Sequence, residues 1–182
     1  MISFSVHLSK VEELDLRGCK HLRDDCIRKI VRNCPRINTL VLANCQQISD
    51  VALIEVATYL KTNLRVLDVC GCNRVSDQGV ISLAKNCDRL TSIDISSTRC
   101  SSTSVNQLAS NSCNMYLENL RLSFLPGLSE GCIVNLIQQC RRLKLLHIFG
   151  CTSLRNVSRL LELNPKLCIE GDTTSGTRRS YS

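Results

Sequence analysis

VEELDLRGC at residues 11–19 returns as INTLVLANC at 37–45, LRVLDVCGC at 64–72, LTSIDISST at 90–98, LENLRLSFL at 117–125 and LKLLHIFGC at 143–151. Successive starts differ by 26, 27, 26, 27 and 26 residues. A fixed period in the twenties means a stack of small units, each burying its apolar face only against its neighbours. Within the phrase, apolar first, fourth and sixth positions alternate with variable ones, which is the period of a strand with one buried side. Leu14 and Leu16, Leu40 and Leu42, Leu67 and Val69, Ile93 and Ile95, Leu120 and Leu122, and Leu146 and Ile148 should point inward.

The pattern L-x-x-L-x-L-x-x-(C/N) at this period reads as a leucine-rich repeat. The fold class expected is α/β, a horseshoe solenoid with short parallel strands on the concave face and helices on the convex one. After the ninth position, an apolar turn residue precedes Ser76-Asp77, then Val80, Leu83, Ala84 and Cys87. Ser49-Asp50, Asp24 and Ser129-Glu130 open equivalent stretches, and Ser or Asp before apolar 3–4 spacing predicts a capped helix of about ten residues. The fourth repeat departs from this. Thr98 replaces the slot cysteine and STRCSSTSVNQL is serine-rich, which predicts a looser and shorter helix.

The boundaries follow. Residues 11–171 form the repeat domain, six repeats plus a partial seventh, with LCIEG from Leu167 echoing LDLRG from Leu14. Residues 1–10 read as the end of a preceding repeat or capping segment, with Phe4 and Leu8 matching Ile30 and Cys34. Residues 172–182 have no apolar pattern and read as a disordered tail. The chain is 182 residues, 43% hydrophobic but only 3% aromatic, so its buried side chains should be slim and aliphatic.

Thirteen cysteines suggest a disulfide scaffold by count alone. Their positions argue for reduced thiols. Cys19, Cys45, Cys72 and Cys151 fill the ninth position, while Cys34, Cys87, Cys113 and Cys140 fall near the end of the helical half. Both slots suit a small buried side chain. Met1 to Leu8 lacks the basic start and apolar run of a secretory signal. No stretch approaches the roughly 18 apolar residues of a membrane span. A soluble cytoplasmic or nuclear protein is expected.

CNRVSDQGVISLAKNCDRL (72–90) and CKHLRDDCIRKIVRNCPRI (19–37) strongly resemble the cysteine-containing leucine-rich repeats of F-box proteins and of the antagonist-of-mitotic-exit type. The resemblance spans about Val11 to Gly171. It implies a horseshoe that captures a protein substrate, beside an F-box module that docks on the adaptor of a cullin–RING ubiquitin ligase. No F-box-like segment is read before Val11, so the substrate-reading or regulatory half is expected. The alternative is a scaffold subunit of a ciliary or DNA-repair assembly with no ligase role.

Residues at the third, fifth and seventh positions should face outward on the concave sheet. Lys166, Cys168 and Glu170 are expected to extend that face on a seventh strand. Seven strands of three give twenty-one residues, close to the roughly 20–30 per side of a standard interface. Asp68 and Asp94 are neighbours on one row, about 4.8 Å apart by strand spacing. No basic residue stands at an outward position of their own strands, so a partner's lysine or arginine would be attracted; Asp15 shows that aspartate also recurs here as a habit of the repeat.

Arg121, Leu145, His147 and Phe149 combine arginine, aromatic and aliphatic side chains as interface hot spots do, unless the C-terminal coil folds over them. Cys70 faces outward too, without an evident base to activate it. Carboxylates outnumber bases on this face by five to three. The +7 net charge therefore lies on helices, loops and tail (Arg28, Lys29, Arg32, Arg141, Arg142, Lys144, Arg178, Arg179), and nucleic acid is a disfavoured partner. No phosphate loop, metal-ligand cluster or nucleophile–base pair is present. The reading is a non-enzyme without cofactor or metal, acting as a monomer within a protein complex.

Overall fold

The computed structural model describes residues 9–125, 127–154, 160 and 162–171. Seven three-residue strands form one sheet in strict chain order: β1 (Glu13–Asp15), β2 (Thr39–Val41), β3 (Val66–Asp68), β4 (Ser92–Asp94), β5 (Asn119–Arg121), β6 (Leu145–His147) and β7 (Cys168–Glu170). All pairings are parallel, and Leu14, Leu40, Leu67, Ile93, Leu120, Leu146 and Ile169 line up in register. Parallel neighbours need a crossover. Here it is supplied by α1 (Asp24–Asn33), α2 (Asp50–Tyr59), α3 (Asp77–Asn86), α4 (Ser102–Ser110) and α5 (Glu130–Gln139).

Between sheet and helices runs one aliphatic core, including Leu40, Leu67, Ile93, Leu120 and Leu146 from the strands and Ile27, Leu53, Leu83, Leu108 and Leu136 from the helices. No aromatic side chain is among its buried members. Leu14 and Leu16 are only half-buried, because they lie at the outer end of the described stack. Phe4, Leu8 and the segment 172–182 lie outside the described residues.

Each repeat leaves its strand through a left-handed residue at the eighth position. Gly18, Asn44, Gly71, Ser97, Phe124 and Gly150 have φ of 72°, 60°, 70°, 55°, 60° and 66°. Glycine and asparagine suit this conformation, and a bulky residue does not. Phe124 is the exception in the series.

The cysteine ladder has a hydrogen-bonding role that position alone did not reveal. The thiols of Cys45, Cys72 and Cys151 donate to the carbonyls of Leu16, Leu42 and Leu122 in the preceding repeat, each at 3.1 Å. Thr98, in the same slot, instead donates to Ile95 of its own repeat at 2.6 Å. All thirteen cysteines are free. Burial pushes the Cys72, Cys87 and Cys140 thiols up to about 12, so they are held protonated as packing groups.

The cap reading needs correction. Ser49, Ser101 and Ser129 accept from backbone N–H groups of their own helices, but Ser76 does not, and the cap position of α1 is Arg23 rather than Asp24. The aspartates act across repeats instead. Asp24 accepts from the N–H and hydroxyl of Ser49, Asp50 from those of Ser76, and Asp77 from those of Ser101, at 2.6–2.8 Å. Asp50 and Asp77 also take the N–H of Gly79 and Ser104, so each carboxylate caps the next helix. Ser102 continues the ladder by accepting from Ser129 N–H at 2.8 Å.

The fourth helix is shorter by one residue, as expected, but not loose. Val105, Leu108 and Ala109 are fully buried, and a 3-10 turn at Ser112–Met115 brings Cys113 into the core.

Candidate functional site: the concave sheet

The fifth-position row reads Asp15, Val41, Asp68, Asp94, Arg121, His147 and Glu170 across seven strands. Its ends are internally paired. Asp15 meets Arg17 at 2.8 Å, and His147 Nε2 lies 3.3 Å from Glu170 Oε2. The middle is not: among the described residues Asp68, Asp94 and Arg121 make no ion pair.

One oxygen of each central aspartate has a local task. Asp68 Oδ1 accepts from the N–H of Cys70 and Asp94 Oδ1 from that of Ser96, both at 2.9 Å, in the way Asp15 accepts from Arg17. This turn-closing bond is the structural reason aspartate recurs on the row. Among the described residues it leaves Oδ2 of both without a hydrogen-bond donor. Burial, and then the charge of Asp94 alongside, push the Asp68 carboxyl above its usual range, although the Cys70 N–H and the cations Arg121 and Arg17 oppose the shift.

Cys70, two residues beyond Asp68 and half-buried, lies within reach of both aspartate charges. Burial and the charges of Asp94 and Asp68 raise its thiol to about 11, the opposite of an activated nucleophile.

Two sequence expectations fail here. Ala43, Ser96 and Ser123 are buried rather than outward-facing, because the chain is already turning at the seventh position. Ser96 and Ser123 hydroxyls accept from the N–H groups of Ser123 and Phe149 in the following repeats. Register also pairs Leu145 with Cys168 and His147 with Glu170, so Lys166 is not on this face. It lines an open hollow of about 340 Å³ at the opposite sheet edge with Arg141, Arg142, Lys144 and Glu118. Without Lys166 the concave set becomes five acids against two bases.

Leu145 is half-buried and Phe149 is 37% exposed, its ring meeting His147 edge-on at 6.3 Å. Sequence reasoning missed Phe124, which is 61% exposed and directly precedes Phe149 in the ladder, donating its N–H to the Phe149 carbonyl at 2.6 Å. The available signal was its place in a slot otherwise filled by Gly, Asn or Ser. Among the described residues no group of three His, Cys, Asp or Glu side chains is placed to hold a metal ion. No described helix is long and apolar enough to cross a membrane.

A family profile described as Leucine Rich repeat matches residues 61–84. With the seven-stranded register, this settles the class. The fold is that of a leucine-rich repeat. The chain is 32% identical over 177 residues to Antagonist of mitotic exit network protein 1 of Eremothecium gossypii, which covers 93% of this chain and 44% of that protein. The namesake from Candida glabrata is 29% identical over 130 residues, covering 68% and 24%. F-box protein SKIP1 of Arabidopsis thaliana is 24% identical over 164 residues, covering 78% and 54%. The leucine-rich-repeat chain thus spans from about a quarter to about half the length of these relatives. A chain from the crystal structure of the Rad7 and Elc1 complex in yeast superposes with a TM-score of 0.78 at 22% identity, over 92% of this chain and 43% of that one, which shows a shared fold.

Proposed function

We propose that the concave sheet recognises a protein, and that the chain is a non-catalytic substrate-reading or regulatory component of an SCF-type (cullin–RING) ubiquitin ligase, acting in the cytoplasm or nucleus. The observation that carries the recognition half is the row Asp68, Asp94 and Arg121, which makes no ion pair among the described residues, beside the exposed Phe149. Unpaired charge and bare aromatic surface together match the composition of an interface centre. The face carries net negative charge, which repels nucleic-acid phosphates. The ligase half is supported by likeness to an F-box protein and to an antagonist of the mitotic exit network. Thirteen free thiols suit a reducing compartment.

The test is affinity purification of the tagged chain from a eukaryotic extract, with immunoblots for cullin and its adaptor. Both should co-purify with the native chain and with an Asp68→Lys, Phe149→Ala variant, while a captured substrate is lost from the variant alone. Elution in one large stable complex lacking cullin and adaptor would instead favour the scaffold reading. That reading draws on the fold neighbour, which was crystallised in a complex with a second protein.

A further inference from the structure

Phe124 occupies a position where the backbone forces φ to 60°, a conformation that disfavours bulky side chains. The other five members of the series are three glycines, an asparagine and a serine. The ring does not compensate by entering the core, since the residue is 61% exposed. It rests on Gly150 of the next repeat, where any added Cβ would collide with it. Backbone strain spent on an exposed aromatic is the kind of outlier that points to use. The composition sharpens this. Every described aromatic, Tyr59, Tyr116, Phe124 and Phe149, is exposed, and the two phenylalanines sit on adjacent repeats at one edge of the concave face.

Asp68 and Asp94 lie on β3 and β4, whereas Phe124 and Phe149 follow β5 and β6. Two strand spacings across the sheet and two to three residues along it separate the pairs by about 13 Å. That is the reach of about four residues of extended chain. Arg121 lies between them on β5.

We propose that the two pairs form one docking surface for an extended peptide segment of a partner protein. A lysine or arginine of the segment meets the free carboxylate oxygens of Asp68 and Asp94. A large apolar side chain about four residues away packs on Phe124 and Phe149, and an acidic residue in the gap meets Arg121. This deepens the recognition reading above and rests on it, but requires no ligase. Charge complementarity sets the basic end, and the two exposed rings on adjacent repeats set the apolar end.

The experiment is selection of a random dodecapeptide phage library on the purified full chain, followed by fluorescence-polarisation titration of enriched peptides. Enriched sequences should hold a basic residue three to five positions from Phe, Trp, Leu or Met. Their affinity should fall at least about tenfold for Asp68→Asn with Asp94→Asn, and likewise for Phe124→Asn. Phe124→Asn copies the native Asn44–Gly71 arrangement, in which asparagine sits over the glycine of the next repeat. It should therefore keep or raise the melting temperature, by up to about 2–4 °C from relieved strain. A lowered melting temperature with weakened binding would make Phe124 a structural residue and overturn the proposal. So would enrichment without the basic–apolar pair, a dimer that Phe124→Asn dissolves, or enrichment that appears only after deletion of residues 172–182. A positive selection with no ligase in the extract would sink the ligase reading alone, and a failed selection with ligase present would sink this one alone.

Discussion

Asp68 is a residue whose environment works against its charge. Because burial and Asp94 raise its folded pKa above the ordinary 3.8, the carboxylate is less favourable in the folded chain than in the unfolded one at neutral pH. By linkage, that penalty is complete above the folded pKa, shrinks as pH falls through it, and is gone below the unfolded value. Asp68→Asn keeps a side-chain oxygen able to accept from the Cys70 N–H and removes the charge. It should raise the melting temperature at pH 7 and lose that advantage below about pH 4, read by thermal denaturation across pH. A decrease at neutral pH would show that the charge stabilises the fold. A residue retained against stability fits a binding role. The sequence disclosed the Asp68–Asp94 adjacency, because strand period and repeat length fix it. It did not disclose the backbone bonds that occupy one oxygen of each, since these depend on the turn after the strand. Phe124 escaped notice for the same reason: its meaning lies in a φ value common to six repeats.

Helices and strands were legible because 3–4 and alternating apolar spacings are local signals, and the stack follows once like positions recur at 26 or 27 residues. What joins one repeat to the next was not legible. The Ser-Asp pairs read as caps of their own helices, yet Asp50 bonds Ser76 and Gly79, 26 and 29 residues on, a relation no local pattern displays. Asp50→Ala would strip three hydrogen bonds from the start of α3 and leave its first N–H groups short of acceptors. A loss of about 2–3 kcal/mol is expected in urea denaturation, whereas Asp25→Ala, exposed in the first turn of α1, should change stability by no more than about 0.5–1 kcal/mol. Gly79 belongs to this joint, as a Cβ there would approach Asp50 Oδ1 to 2.6 Å and Leu53 Cδ2 to 2.9 Å. Equal losses from Asp50→Ala and Asp25→Ala would reduce the ladder to ordinary surface hydrogen bonds. The seventh strand marks the limit of counting. β6 and β7 pair at an offset of 23 residues, and matching LCIEG to LDLRG set the strand two residues out of register, which misplaced Lys166 on the recognition face.

Among the described residues the molecule is a line of units, helix packed on the next helix and strand on the next strand, with no extensive packing between elements that are not neighbours along the stack. Stability should then be a sum of unit and neighbour terms rather than one global core. The units differ: Leu14 and Leu16 in the first described repeat are half-buried, while Leu40, Leu67, Ile93 and Leu120 are covered on both sides. Hydrogen exchange followed by mass spectrometry should therefore show amides of Leu16 and Gly18 opening well before those of Leu42, Val69 and Ile95, although each donates the same kind of inter-strand bond. Leu67→Asp tests the same architecture from its centre. It forfeits roughly 1.5–3 kcal/mol of burial and strands a carboxylate in the aliphatic core. In a one-dimensional stack that defect severs the coupling between the repeats on either side, so protection should collapse around β3 and both flanks should melt as separate, weaker transitions. A single cooperative melt with uniform protection in the variant would mean that stability is shared globally, and that Leu67 is not a link on which its neighbours depend.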